Sequence, residues 1–206
     1  MNRFKVALVA GLASAISSMA NAGLIVDFED VVLSGVSTAA GVQTSQGFSF
    51  APTATTNDLV RVQQGAGTCS GGCVDNGTQR LTLFNNDATA PFEVVMSAMN
   101  GLPFALLSFD FTENFIFTTD TGANITLTGT LEGGGTAIES FEIDQIENTF
   151  QTASVTRMVD VTSILIASDR YFPAFDNFVV SVPEPATLAI ISLGFAGLGY
   201  SRRKKG

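Results

Sequence analysis

Between residues 23 and 182 apolar positions recur in short runs at a spacing of two, the mark of strands that bury one face. In residues 104–112 (FALLSFDFT), Phe109 and Phe111 point one way and Asp110 the other. Residues 124–132 (NITLTGTLE) alternate throughout and stop at Gly133-Gly134-Gly135. Further runs fall at residues 23–28, 47–50, 59–63, 80–84, 91–96, 138–143, 149–156, 158–167 and 172–182, separated by Gly, Pro, Asn and Asp. Residues 31–46, rich in Ser, Thr, Gly and Ala, read as a loop or a weak edge strand. About ten β-branched strands at this spacing, with no helical period among them, predict an antiparallel β-sandwich.

Both ends break the pattern. Met1–Ala22 has the layout of a secretory signal peptide: Arg3 and Lys5, an apolar stretch from Val6 to Ile16, then Ala20-Asn21-Ala22 as a small-x-small cleavage site. The exported part is expected to begin at Gly23 and to run as one sandwich domain over residues 23–181. Residues 182–206 hold three unlike pieces in a fixed order. Pro183-Glu184-Pro185 forbids a helix interior or a central strand, because two φ angles are locked and two donors are missing. Residues 186–201 carry no charge. As a helix they reach about 24 Å, a short span against a hydrocarbon core of roughly 30 Å. Arg202, Arg203, Lys204 and Lys205 then form a basic stop, which keeps that end in the cytoplasm and everything before Pro183 outside. Helices are therefore expected only in the leader and in this single transmembrane segment.

That order of Pro-Glu-Pro, short hydrophobic span and basic end resembles the PEP-CTERM sorting signal of Gram-negative bacteria. The resemblance implies recognition at the inner membrane by exosortase, a membrane cysteine transpeptidase. It also implies a source that builds an exopolysaccharide or biofilm matrix, with a final location in the envelope, on the outer surface or in that matrix.

Charge narrows the partners. Four of the ten Lys and Arg and eighteen of the nineteen Asp and Glu lie between residues 23 and 182, a balance of −14 with no Lys and no His. Such a surface repels nucleic acid and anionic membrane and attracts divalent cations, and it also serves solubility. Without His or Lys there, Ser-His-Asp, Cys-His and Ser-Lys mechanisms are excluded. A glycosidase needs only two placed carboxylates, and Asp110, Glu113, Glu142 and Asp144 supply the groups. Acids at strand ends in so acidic a domain are ordinarily solvated, so no enzyme is expected.

Cys69 and Cys73 sit in a glycine-rich loop (GAGTCSGGCVDNG, residues 65–77) of an exported chain, which predicts a local disulfide. Fifteen of the seventeen Phe lie in residues 23–182, beside one Tyr (Tyr171) and no Trp, an aromatic usage suited to packing.

The opening Val26-Asp27-Phe28-Glu29-Asp30 and the closing Phe175-Asp176-Asn177-Phe178 resemble the jelly-roll domains common in PEP-CTERM proteins. So do residues 106–111, 125–129 and 150–152. Those domains are similar to carbohydrate-binding-module and galactose-binding-like sandwiches. The resemblance implies adjacent first and last strands, with acids beside them that often bind a structural calcium. Asp27 and Glu29, two apart, would share one face of a regular strand, and Asp176 would join them. The alternative leaves Asp27 and Glu29 solvated and Asp176 bonded to backbone in a turn. A bulge is needed to turn Asp176 away from the face of Phe178. The function expected is a non-catalytic envelope or extracellular-matrix protein delivered by its tail. The alternative is a carbohydrate-binding, lectin-like module for exopolysaccharide, which would show two or three exposed Phe rings on one face or loop end.

Overall fold

The computed structural model describes residues 23–53, 58–65, 75–85, 92–113, 123–143, 149–169 and 173–183. Twelve strands cover most of them: β1 (Gly23–Val26), β2 (Gln43–Ser45), β3 (Phe48–Pro52), β4 (Asp58–Gln64), β5 (Gln79–Asn85), β6 (Phe92–Ala98), β7 (Ala105–Glu113), β8 (Ala123–Leu131), β9 (Thr136–Ile143), β10 (Gln151–Ser154), β11 (Val161–Ser168) and β12 (Pro173–Ser181). No helix occurs among the described residues, and the expected leader and membrane helices lie outside them. Residues 31–46, expected as a loop or a weak edge strand, hold both: β2 is a three-residue edge strand, and the chain before it lies along β4 through Thr38 N–H to Val62 O (2.9 Å) and Gly41 N–H to Val60 O (3.0 Å).

The strands form two six-stranded sheets, antiparallel throughout. One runs β10-β7-β12-β5-β4, with β1 also paired to β12; the other runs β2-β3-β6-β11-β8-β9. The all-β antiparallel sandwich expected from the alternation is the observed fold. Alternation also sets its interior. In β6 every second residue (Phe92, Val94, Met96, Ala98) is buried while its neighbours are half-buried. Phe rings cross the gap between the sheets. Phe178 of β12 lies 5.3 Å from Phe50 of β3, 6.1 Å from Phe28 and 5.8 Å from Phe109 of β7.

Opening and closing strands do pair: Gly23 faces Ser181 and Val26 faces Phe178. The strand nevertheless ends at Val26. Phe28 takes φ 62° and drops its ring into the core, fully buried, so Asp27 and Glu29 do not share the face of a regular strand. This corrects the geometry expected for them. A left-handed backbone at Phe is costly, and burial of a ring among Phe50 and Phe178 offsets it.

Candidate functional site

β12 carries the polar cluster that the pattern of apolar residues does not show. Its pairing with β7 shifts between Asp176 and Val179, and Asn177 stands at φ 49°, so one extra residue is accommodated there. This is the bulge the sequence required. Phe175 and Phe178 both reach the core, while Asp176 points to the other side of the sheet, across from Asp110 on β7.

Asp176 is fully buried. Its Oδ1 accepts from Asn177 N–H (2.8 Å). Its Oδ2 accepts from Asn76 Nδ2 and Thr78 Oγ1, each at 2.8 Å. Next to it, Asp110 accepts from Thr152 Oγ1 (2.6 Å) and Asn177 Nδ2 (2.8 Å). Burial pushes the Asp176 carboxyl up to about 6, against the lowering by its three donors, and the Asp110 carboxylate adds to the rise.

The register that sets Phe175 opposite Leu81 brings Arg80 of β5 alongside. Arg80 is fully buried too, and its Nη2 donates to Gly65 O (3.3 Å). Burial lowers the guanidinium from its ordinary value, while Asp75 and Asp176 hold it up. Arg80, Asn76 and Thr78 belong to no motif in the sequence, and Asn177 enters only through the closing Phe-Asp-Asn-Phe. One signal was available: Arg80 is one of only four cations in an acidic domain, and it heads an apolar alternation.

Each of the residues expected to hold calcium accepts hydrogen bonds from protein donors. Asp27 Oδ1 accepts from Glu29 N–H (3.2 Å) and from Gln46 Nε2 (2.7 Å). Glu29 Oε1 accepts from Gln79 N–H (2.7 Å). The Gln79 amide, with its nitrogen turned inward, reaches the carbonyls of Phe28 (3.2 Å) and Val31 (3.1 Å). Asp30 accepts from Ser45 Oγ (2.6 Å) and Gln46 N–H (2.8 Å). Burial raises its pKa, but those hydrogen bonds outweigh burial and the net shift is downward. Among the described residues no group of three or more acidic or Cys side chains is arranged to hold a metal ion. Of the four acids considered for glycoside chemistry, Asp110 lies in the cluster, Glu113 and Glu142 sit on β7 and β9, and Asp144 lies outside the described residues.

Described Phe rings are buried in the core, apart from the half-buried Phe141 and Phe150, so these residues present no aromatic platform. Cys69, Cys73, Glu184, Pro185 and the basic stop at Arg202, Arg203, Lys204 and Lys205 lie outside the described residues. Pro183 is exposed, two positions after the last residue of β12.

Residues 181–204 match the PEP-CTERM protein-sorting motif. The chain carries a PEP-CTERM sorting tail. It is therefore an exported protein with a C-terminal sorting signal, and that signal begins at the last residue of β12. No curated protein matches the chain in sequence. Solved structures similar to it include TmCBM61 in complex with β-1,4-galactotriose, at 13% identity and TM-score 0.39 over 67% of this chain and 90% of that one. The tandem CBM22-1–CBM22-2 domain of Paenibacillus barcinonensis Xyn10C is similar at 14% identity and TM-score 0.45, over 82% of this chain and 49% of that one. An exo-β-agarase is similar at 11% identity and TM-score 0.46, over 80% of this chain and 26% of the enzyme.

Proposed function

We propose that this chain is a non-catalytic protein of the cell envelope or extracellular matrix, associated with exopolysaccharide and delivered by its tail. Exosortase at the inner membrane is its processing enzyme, and residues 186–201 hold it there until processing. The observation that carries this reading is the sorting motif at residues 181–204, joined without a spacer to the closing strand of the sandwich.

The polar cluster supports a structural rather than a catalytic use. Asp176 has the raised pKa of a general acid, yet it is fully buried and both its oxygens accept from protein donors. An acid must reach the atom it protonates. The test is intact-mass measurement of protein from the native envelope. The expected species lacks both Met1–Ala22 and residues 202–206. Mature protein that keeps its full C-terminus throughout would overturn processing.

A second reading, carbohydrate binding, is favoured by one observation. Asp110, Asn177 and Thr152 form a hydrogen-bonded row that solvent reaches on the outward face of β7, β12 and β10. Carboxylate, amide and hydroxyl groups of this kind suit sugar hydroxyls. Glycan pools that raise the melting temperature of the wild type but not of Asp110→Ala would promote this reading over the matrix one.

A further inference from the structure

The sandwich has one end from which both termini of the domain leave. Gly23 and Ala105 both face Ser181 there, and Phe104 bridges Val161. The turn after β6 closes the same end through Met99 N–H to Gly47 O (2.9 Å) and Gly101 N–H to Ala98 O (3.0 Å). The chain before β11 closes it through Leu106 N–H to Met158 O and Glu132 N–H to Asp160 O, each 2.9 Å.

Four aliphatic or thioether side chains project from this end into solvent: Leu24 (38% exposed), Met99 (63%), Leu102 (41%) and Val159 (51%). Single exposed apolar residues need no explanation, but three on the connections of one end, beside Leu24 of β1, do. Turn tips are ordinarily polar, and Asn100, Gly101 and Asp160 show that the usual turn residues are available beside them.

Chain length limits how far the uncharged stretch can lie from the last residue of β12. Only residues 182–185 separate β12 from the uncharged stretch, a reach of about 13 Å at roughly 3.3 Å per residue. Two of those four are proline, whose ring fixes φ. That reach keeps the last residue of β12 within about 13 Å of the point where the uncharged stretch begins.

We propose that Leu24, Met99, Leu102 and Val159 rest in the lipid interface while the tail is inserted, and so fix the orientation in which the Pro-Glu-Pro motif meets its enzyme. This inference rests on the anchoring reading above. Near these tips the exposed charges are Glu132, Asp160 and Arg157, a small local balance beside the −14 of the whole domain. Repulsion therefore holds the flanks off an anionic surface while the tips make contact. Shallow burial of such side chains at a headgroup boundary is favourable, and Trp suits that boundary well.

The chain has no Trp, so one introduced residue reports its own surroundings. Full-length protein is reconstituted in phosphatidylcholine vesicles with and without lipids brominated near the glycerol backbone. The variants are Met99→Trp, Leu102→Trp, Phe195→Trp in the tail, and Ile138→Trp as control. Ile138 is 55% exposed and is the third residue of β9, on its outer face opposite Thr128. Quenching of Phe195→Trp shows that the tail is inserted. Met99→Trp and Leu102→Trp are then expected to be quenched at least about twofold more than Ile138→Trp, independently of protein concentration. Quenching at the control level with the tail inserted overturns the proposal and leaves anchoring intact. No quenching of Phe195→Trp overturns anchoring and the proposal with it. Contact that grows with protein concentration assigns this end to a second copy. Contact absent from vesicles but captured in cells by photo-crosslinking to a membrane protein assigns it to protein; either result overturns the lipid assignment. Far-UV circular dichroism on each variant establishes that the sandwich is folded.

Discussion

The Asp176 carboxyl is raised from 3.8 to about 6, so the folded chain holds its proton more tightly than the unfolded chain does. For an acid shifted upward, stability is highest when both states are protonated and declines as pH rises from the unfolded value to the folded one. The loss is complete above pH 6 and amounts to at most about 3 kcal/mol. Asp176→Asn has no such proton, so its melting temperature should gain on the wild type by several degrees between pH 4 and pH 7. The amide will cost stability at every pH, because it turns a donor toward Asn177 N–H or toward Asn76 and Thr78. The readout is the change in the difference with pH, and parallel curves would refute the assignment. Nearby, the opening segment is clipped by Glu29 to Gln79 and by Asp27 to Gln46. With those oxygens already engaged, melting curves in calcium and in chelator are expected to superimpose. A rise in calcium that Glu29→Gln abolishes would restore the metal clip.

At the scale of elements, two positions show how the sheet edges and crossings are built. Gly129 of β8 lies under the core: a Cβ there would meet Met158 Sδ at 2.7 Å and Val161 Cγ1 at 2.8 Å. The interior has no slack for it, so Gly129→Ala should destabilise by about 1–3 kcal/mol in denaturant unfolding, with unchanged spectra at low denaturant. On β9, an edge strand, Glu139 turns inward and receives Thr156 N–H (3.1 Å), Thr156 Oγ1 (3.1 Å) and Arg157 N–H (3.0 Å). An inward charge that is fully used in this way closes the edge against pairing with another chain. The loop of Cys69 and Cys73 belongs to this scale as well. We propose that the two form a disulfide, so alkylation without reductant should leave both unmodified, and freshly exported protein that takes up label would refute it. A crosslink so local closes a small loop, and its removal should shift the melting temperature little.

For the whole molecule the Phe cluster is the tie between layers. Phe178 touches rings from β3, β7 and β12 itself, with Phe175 at 6.3 Å. Phe178→Ala should cost about 3–5 kcal/mol and lower the unfolding midpoint without changing its slope, whereas an outer-face change such as Ile138→Ala should cost less than about 1 kcal/mol. A comparable loss at both positions would mean that the sheets are not joined through these rings.

Strand after strand was legible before any coordinates, because burial on one face writes itself into a period of two. Phe109 and Phe111 against Asp110 are the plainest case, and the sorting motif was equally local, being a matter of composition and order along the chain. Adjacent positions cannot say which strands become neighbours. Pairing alone brings Asp176, Asn76 and Thr78 together, with the latter two about a hundred residues earlier in the chain. Nor could alternation reveal that Phe28 leaves the strand or that Asn177 sits in a bulge, since both are left-handed backbone states held by partners from other strands, rings for Phe28 and Asp110 for Asn177. The sequence by itself determined export, the sorting tail, the β class and the apolar face of nearly every strand, all properties of near neighbours in the chain. Strand pairing decided the burial of Asp176, the bulge at Asn177 and the exposed apolar side chains gathered where β1 begins and β12 finishes, because each depends on what distant strands place within a few ångströms.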